Sequence, residues 1–306
     1  MGTPDFAVAS LKAINESKHQ IVGVITATDK PSGRGKKINS SAVKKYAVEN
    51  NLTLFQPKNL KNDNFKNDLI NVKADIFIVV AFRMLPKSIW ELPHYGTINL
   101  HASLLPEYRG AAPINWAVIN GEKSTGVSTF IIDDKIDTGE ILLQEKIQIN
   151  DGDNAGVLHD KLMIIGAQLI LKTIDELGHN NLTPKKQTKE NPKLKTAFKL
   201  NKTNTRINWG KSNYEIRQLI LGLSPYPSAW TTLISNEKTY NFKIYDAILN
   251  PKKLSPGKIE INKNQFLVGT SNGSIELKQV QLEGKKRMDT LSLINGNPFI
   301  KTSKLE

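Results

Sequence analysis

The chain has 306 residues, 39% hydrophobic and 23% charged, which is long enough for two globular domains with cores of their own. It carries a formal net charge of +13 and no cysteine, which excludes disulfides, thiol catalysis and thiolate metal sites. No stretch approaches the ~20 apolar residues of a membrane-spanning helix, and the N-terminus lacks a basic-then-apolar signal segment, so a cytoplasmic protein is expected.

In chain order, Gly2-Thr3-Pro4-Asp5 reads as a strand-to-helix turn, with Asp5 as N-cap of a helix over residues 6–14. Only Met1 precedes that turn, so a first strand upstream is expected; without it the neighbouring strands would lose a partner. Apolar, β-branched runs predict strands at residues 21–26, 74–80, 97–100 and 127–132. Helices are predicted at 42–49 and 158–174, the second with Leu158, Leu162, Ile165, Leu169 and Ile170 at helical spacing. This alternation predicts an α/β, Rossmann-like domain with a mostly parallel sheet over residues 1–177. Residues 178–204 are polar and lysine-rich with Pro184 and Pro192, the signature of a basic linker. A helix at 212–221 follows, then short strands at 229–234, 241–248, 257–261, 266–269 and 275–281. Pro256-Gly257 and Asn272-Gly273 mark turns, and a small OB-like β-barrel domain over residues 205–306 is expected.

Charge divides unevenly along the chain. Residues 1–175 hold 20 Lys and Arg against 19 Asp and Glu, whereas residues 176–306 hold 22 against 10. Such a field concentrates a polyanion at the surface, although a solubilising surface accounts for the same count.

The densest group of chemically interpretable residues runs from 99 to 139. Asn99 and His101 stand two apart at the end of a predicted strand, so their side chains share a face. The carboxyl ends of parallel strands are where open α/β sheets hold their sites. Asp137 follows a later strand in the turn Asp137-Thr138-Gly139. That spacing alone is weak, since an Asn or His at a strand end is more often structural. The following string is stronger: Ser103-Leu104-Leu105-Pro106, Tyr108-Arg109-Gly110, Pro113 and Trp116. Preceded by Asn-x-His, it resembles the hydrolase/transferase family that uses 10-formyltetrahydrofolate.

The resemblance implies formyl transfer to an amine through a tetrahedral oxyanion. Asn99 and a protonated His101 would donate to that charge, and Asp137 would hold His101 in its protonated form and help move protons. Neither a metal nor a covalent intermediate is implied. Ser103, Leu104, Leu105 and Pro106 would form part of the folate wall, and backbone in residues 81–85 and 133–137 would read the pterin edge. Arg109 is left as either structural or substrate-orienting, and Trp116 as core.

Three features resemble the branch of that family whose acceptor is initiator methionyl-tRNA. The opening Gly2-Thr3-Pro4-Asp5-Phe6-Ala7 would put Phe6 near the acceptor end. The loop 30–37 carries Arg34, Lys36 and Lys37 among glycines, suited to phosphates in a nucleic-acid groove. The third is the basic linker plus barrel, including 223–230, 281–288 and a cationic patch of Lys285, Lys286 and Arg287. Trp209 and Trp230 are candidate stacking platforms with core roles more common. No membrane and no obligate protein partner are expected. Small-amine acceptors, such as a sugar nucleotide or glycinamide ribonucleotide, and a non-catalytic RNA-binding protein are the competing readings.

Overall fold

The computed structural model describes residues 1–32, 37–187, 194–235, 237–262, 265–297, 300 and 302–306. Two units emerge. One comprises Met1–Gly110, Thr125–Ile147 and His159–Thr196; the other comprises Ala111–Ser124, Gln148–Leu158 and Ala197–Glu306.

The first unit is organised on a mixed sheet. Strand Thr97–His101 pairs in parallel with Phe77–Val80 and antiparallel with Ser124–Ile131, beside which lies Ile141–Gln148. Beyond Phe77–Val80, the Val80 N–H donates to Met1 O at 2.9 Å and the Gly2 N–H to Ile25 O at 3.0 Å. Val24–Ile25 then pairs in parallel with Leu54–Phe55. The expected parallel sheet is thus extended by two antiparallel strands on the far side of Thr97–His101.

Apolar residues at successive positions require cover on both faces. Ile98 and Leu100 point one way; a Cβ added at Gly166, in helix Ala155–Gly178, would meet Leu100 Cδ2 at 2.8 Å. On the same face the Thr129 and Thr173 hydroxyls are 2.9 Å apart. Phe77 and Val79 point the other way and pack with Phe65 and Leu69 of helix Asp63–Asn71. Asn99 and His101 continue this second face. Helix Asp5–Asn15 starts one residue earlier than expected: Pro4 is its extended N-cap, and Asp5 lies in the first turn. There the carboxylate faces the positive end of the helix dipole instead of capping it.

The second unit is the barrel with its attached helices. Its strand order is Ile259–Ile261, Phe266–Gly269, Ser274–Leu282, Lys238–Asn250, Ala229–Ser235 and Lys304–Leu305. A bridge between Lys258 and Lys304 and the Leu305 N–H bond to Gly257 O, 3.1 Å, bring the first and last strands together, so the barrel nearly closes. The closing strand, two residues long, gives no alternation for sequence reading to detect. A register shift at Asp246 bends the longest strand, and Phe242 stacks on Phe266 in the core with ring centres 6.3 Å apart. Helix Asn213–Leu223 opens with a capping box between Ser212 and Glu215. Helix Pro113–Ile119 belongs to this unit too, where the Asn115 amide donates to Gly222 O at 2.7 Å. Asn154 accepts the Val157 N–H at 2.9 Å at the start of Ala155–Gly178. No helix among the described residues is long and apolar enough to cross a membrane.

Candidate active site

Strand pairing sets out the site. Asn99 lies opposite Phe130 and His101 opposite Ser128, so all four side chains share one face. Asp137 comes from the turn between Ser124–Ile131 and Ile141–Gln148 and has a φ of 55°. Its Oδ2 lies 3.7 Å from His101 Nδ1, with the two side chains only 12% and 8% exposed. The same oxygen accepts the Gly110 N–H at 2.9 Å. Gly110 has a φ of 122°, which glycine alone adopts without strain. At Gly139 a Cβ would fall 1.6 Å from Ile131 O, so only glycine lets the turn come back this close to the strand.

Hydrogen-bond chemistry assigns one ring proton. His101 Nε2 lies 2.9 Å from Tyr108 O, and because a carbonyl only accepts, Nε2 bears hydrogen. The Nδ1 separation from Asp137 exceeds a direct hydrogen bond. A second proton on Nδ1 makes the pair attractive by charge, at a distance that leaves Nδ1 open to a third group. Asp137 Oδ1 and the Asn99 amide make no hydrogen bond among the described residues.

The loop of Ser103, Leu104, Leu105 and Pro106 is tied to this face by Ser128. The Ser128 hydroxyl donates to Ser103 O at 2.6 Å and accepts from Leu105 N–H at 3.0 Å and Gln144 Nε2 at 2.8 Å. Gln144 Nε2 also reaches Leu105 O at 3.0 Å, and Leu105 packs with Phe130 and Ile141. Ser103 is fully buried, its hydroxyl donating to Glu107 O at 2.6 Å. Sequence reasoning passed over Ser128 and Gln144. The available signal was a serine at an inward position of an apolar strand, two residues from Phe130. In the other expected folate segments, Ala81 has a φ of 46°, and Met84 and Ile136 are large apolar side chains 75% and 60% exposed. Asp133 accepts from Lys135 N–H and the Thr138 hydroxyl, closing the loop that carries Ile136.

Phe6 is buried, its ring edge-on to His159 at 5.3 Å. Arg34 and Lys36 lie outside the described residues, and Lys37 is described by its backbone alone, in strand Lys37–Asn39. Lys285, Lys286 and Arg287 are exposed in the turn after Ser274–Leu282, with Arg287 over the Tyr245 ring at 4.4 Å and bonded to Gln279. Trp116, Trp209 and Trp230 each donate through the indole N–H, to Phe198 O, the Thr231 hydroxyl and Lys202 O.

The family described as formyl transferase matches residues 1–174, and that described as formyl transferase, C-terminal domain, matches residues 199–298. A methionyl-tRNA formyltransferase of Flavobacterium johnsoniae is 52% identical over all of this chain and 97% of its own length. One from Bacteroides fragilis is 46% identical, covering 97% of this chain and 93% of the relative. Among solved structures, the sugar 3N-formyl transferase WlaRD is similar with a TM-score of 0.65 at 23% identity, over 93% of this chain and 97% of that one. The N-formyltransferase of Helicobacter canadensis gives 0.67 at 23% identity, over 92% and 97%. These two share the fold. By both matched domains and by identity along its full length, the chain belongs to the formyl transferase family.

Proposed function

We propose that this chain transfers the formyl group of 10-formyltetrahydrofolate to the amine of initiator methionyl-tRNA, giving N-formylmethionyl-tRNA for translation initiation in the cytoplasm. The observation that carries it is the 52% identity to a methionyl-tRNA formyltransferase over the whole chain. The basic second half is therefore part of the likeness along with the catalytic sheet.

The site residues suit that chemistry. Met84 and Ile136 offer exposed apolar side chains for a flat heterocycle, and the Asn99 amide and Asp137 Oδ1 make no hydrogen bond among the described residues, beside a nearly buried His101. The donor supplies a formyl carbon bound to an arylamine nitrogen, N10. In the transfer, the substrate amine forms the new C–N bond, the bond to N10 breaks, and one proton passes from the amine to N10. Asn99 donates its amide N–H to the formyl oxygen as negative charge grows there, a contribution of about 100- to 1,000-fold for such a donor. His101, its ring fixed by Tyr108 O, adds positive charge beside that oxygen. Asp137 takes the amine proton on Oδ1 and returns it, through water, to N10. Ser103, Leu104, Leu105 and Pro106 wall the folate. Lys285, Lys286 and Arg287, with Arg34, Lys36 and Lys37, serve the tRNA, the cations neutralising phosphates, while Phe6, buried against His159, is left to packing.

The test offers the purified full-length chain 10-formyltetrahydrofolate with methionyl initiator tRNA, and separately with an amino-sugar nucleotide. Formylmethionyl-tRNA is the expected product, with the sugar left unmodified. A tRNA that keeps its free amine while the sugar is formylated overturns the assignment.

A further inference from the structure

We propose that Gln187 is a positioning residue for Asp137, holding the Asp137 turn through its backbone so that the carboxylate faces His101. The proposal rests on the role given to Asp137 above. Gln187 lies in the lysine-rich segment after helix Ala155–Gly178, and backbone bonds bring it to the site. Lys185 and Ile141 exchange N–H to O bonds of 2.8 Å in both directions at the start of the outer strand, which brings Gln187 beside the turn that precedes it.

The Gln187 carboxamide then makes four contacts. Nε2 donates to Asp137 O at 3.0 Å and to Gly139 O at 2.7 Å. Oε1 accepts from Arg109 Nε at 3.0 Å and Arg109 Nη2 at 2.6 Å. Carbonyls only accept and a guanidinium only donates, so the position needs a donor and an acceptor on one group. A carboxylate would turn an anion toward two carbonyl oxygens, and an ammonium would meet Arg109.

These bonds close a ring. From Arg109 the path runs through Gln187 to the Asp137 backbone. The Asp137 side chain then returns to the N–H of Gly110, the residue after Arg109. Tyr108, the residue before Arg109, holds His101 Nε2 through its carbonyl. One network thereby sets both members of the 3.7 Å His101–Asp137 pair. It also holds Asp137 at a φ of 55°, a conformation that L-residues leave unless neighbouring contacts retain it. Arg109 acts here as support for the turn.

The experiment measures formylation of methionyl initiator tRNA by full-length wild type, Gln187→Glu, Gln187→Ala, Asp137→Asn and the Asp137→Asn/Gln187→Glu double variant. Gln187→Glu is expected to lower kcat about 100-fold, the scale of a displaced catalytic group, with KM for both substrates changed less than about threefold. Gln187→Ala, which adds no charge, is expected to lower kcat about tenfold and covers the case in which the glutamate variant does not fold. In the Asp137→Asn background the Gln187 change costs less than about threefold, because the group it positions is gone. Wild-type kcat in a folded Gln187→Ala variant overturns the inference, as does a full loss on top of Asp137→Asn. A wild-type chain that formylates no tRNA instead refutes the function, so the two failures are told apart.

Discussion

Changing Ser128 to alanine removes one atom and three hydrogen bonds. The hydroxyl uses its full capacity, donating to Ser103 O and accepting from Leu105 N–H and Gln144 Nε2 at 2.6, 3.0 and 2.8 Å. Ser128 is 0% exposed, so water does not replace it. At a net value of about 1 kcal/mol per bond the loss is about 3 kcal/mol, with the buried N–H left stranded at Leu105 as its main source. Gln144 retains its bond to Leu105 O, which keeps the total below the sum of three orphaned groups. A loss of about 3 kcal/mol lowers the melting midpoint of a unit of this size by roughly 6–12 °C. Urea unfolding of the full chain, read by tryptophan fluorescence and circular dichroism, measures the stability. Steady-state formylation reads the loop: KM for the folate donor rises while KM for tRNA stays put. A destabilisation under about 1 kcal/mol, or an unchanged folate KM in the folded variant, refutes the reasoning that this hydroxyl organises the folate loop.

Asp137→Asn keeps an acceptor for the Gly110 N–H but removes the charge and the proton site. Its kcat is expected to fall at least about 100-fold with unfolding nearly unchanged, and wild-type turnover would take Asp137 out of the chemistry. Gly139→Ala puts a Cβ 1.6 Å from Ile131 O and is expected to cost more than about 3 kcal/mol, whereas Gly178→Ala, with nothing within 4 Å, stays within about 1 kcal/mol of wild type. Equal melting midpoints for the two would contradict the close approach. Lys211 and Ser212 hold the Glu215 carboxyl down to about 2, from 4.5. A carboxyl lowered by folding contributes stability above its unfolded value and loses it as acid approaches the folded one. The small stability difference between wild type and Glu215→Gln is therefore present at neutral pH and fades between 4.5 and about 2, as acid titration by circular dichroism will show. A difference that grows with acid reverses the sign of the argument.

Periodicity carried most of the secondary structure, because apolar spacing is itself what buries a face. The 42–49 helix and the 266–269 strand have the bounds expected from it. Short pieces escaped: Lys304–Leu305 and Met288–Asp289 are two residues each, the first pairing with Leu233 and Ile234 far back in the chain, the second across a short turn with Gln279 and Val280. Asp5 has a side chain that can cap, but Pro4 already takes the extended conformation that the position needs. At the site, Asn99, His101 and Asp137 were visible through a motif, and the structure brings His101 and Asp137 to 3.7 Å. The supports were not visible. Ser128, Gln144 and Gln187 are single polar residues whose roles come from four separate segments meeting. The lysines around Gln187 made its segment look like solvated linker.

The pairing of Pro113–Ile119 with Asn213–Leu223 bears on how pieces of this protein can be made. A Cβ at Gly222 would land 2.4 Å from Ile119 Cγ1 and 2.9 Å from Asn115 O, so the later helix is shaped around the earlier one. A gene fragment starting at residue 199 would leave that docking side bare and prone to self-association. A well-behaved recombinant piece for binding studies has to restore residues 111–124, grafted ahead of the fragment or supplied as a peptide. For this chain, the useful scissor line is drawn through space.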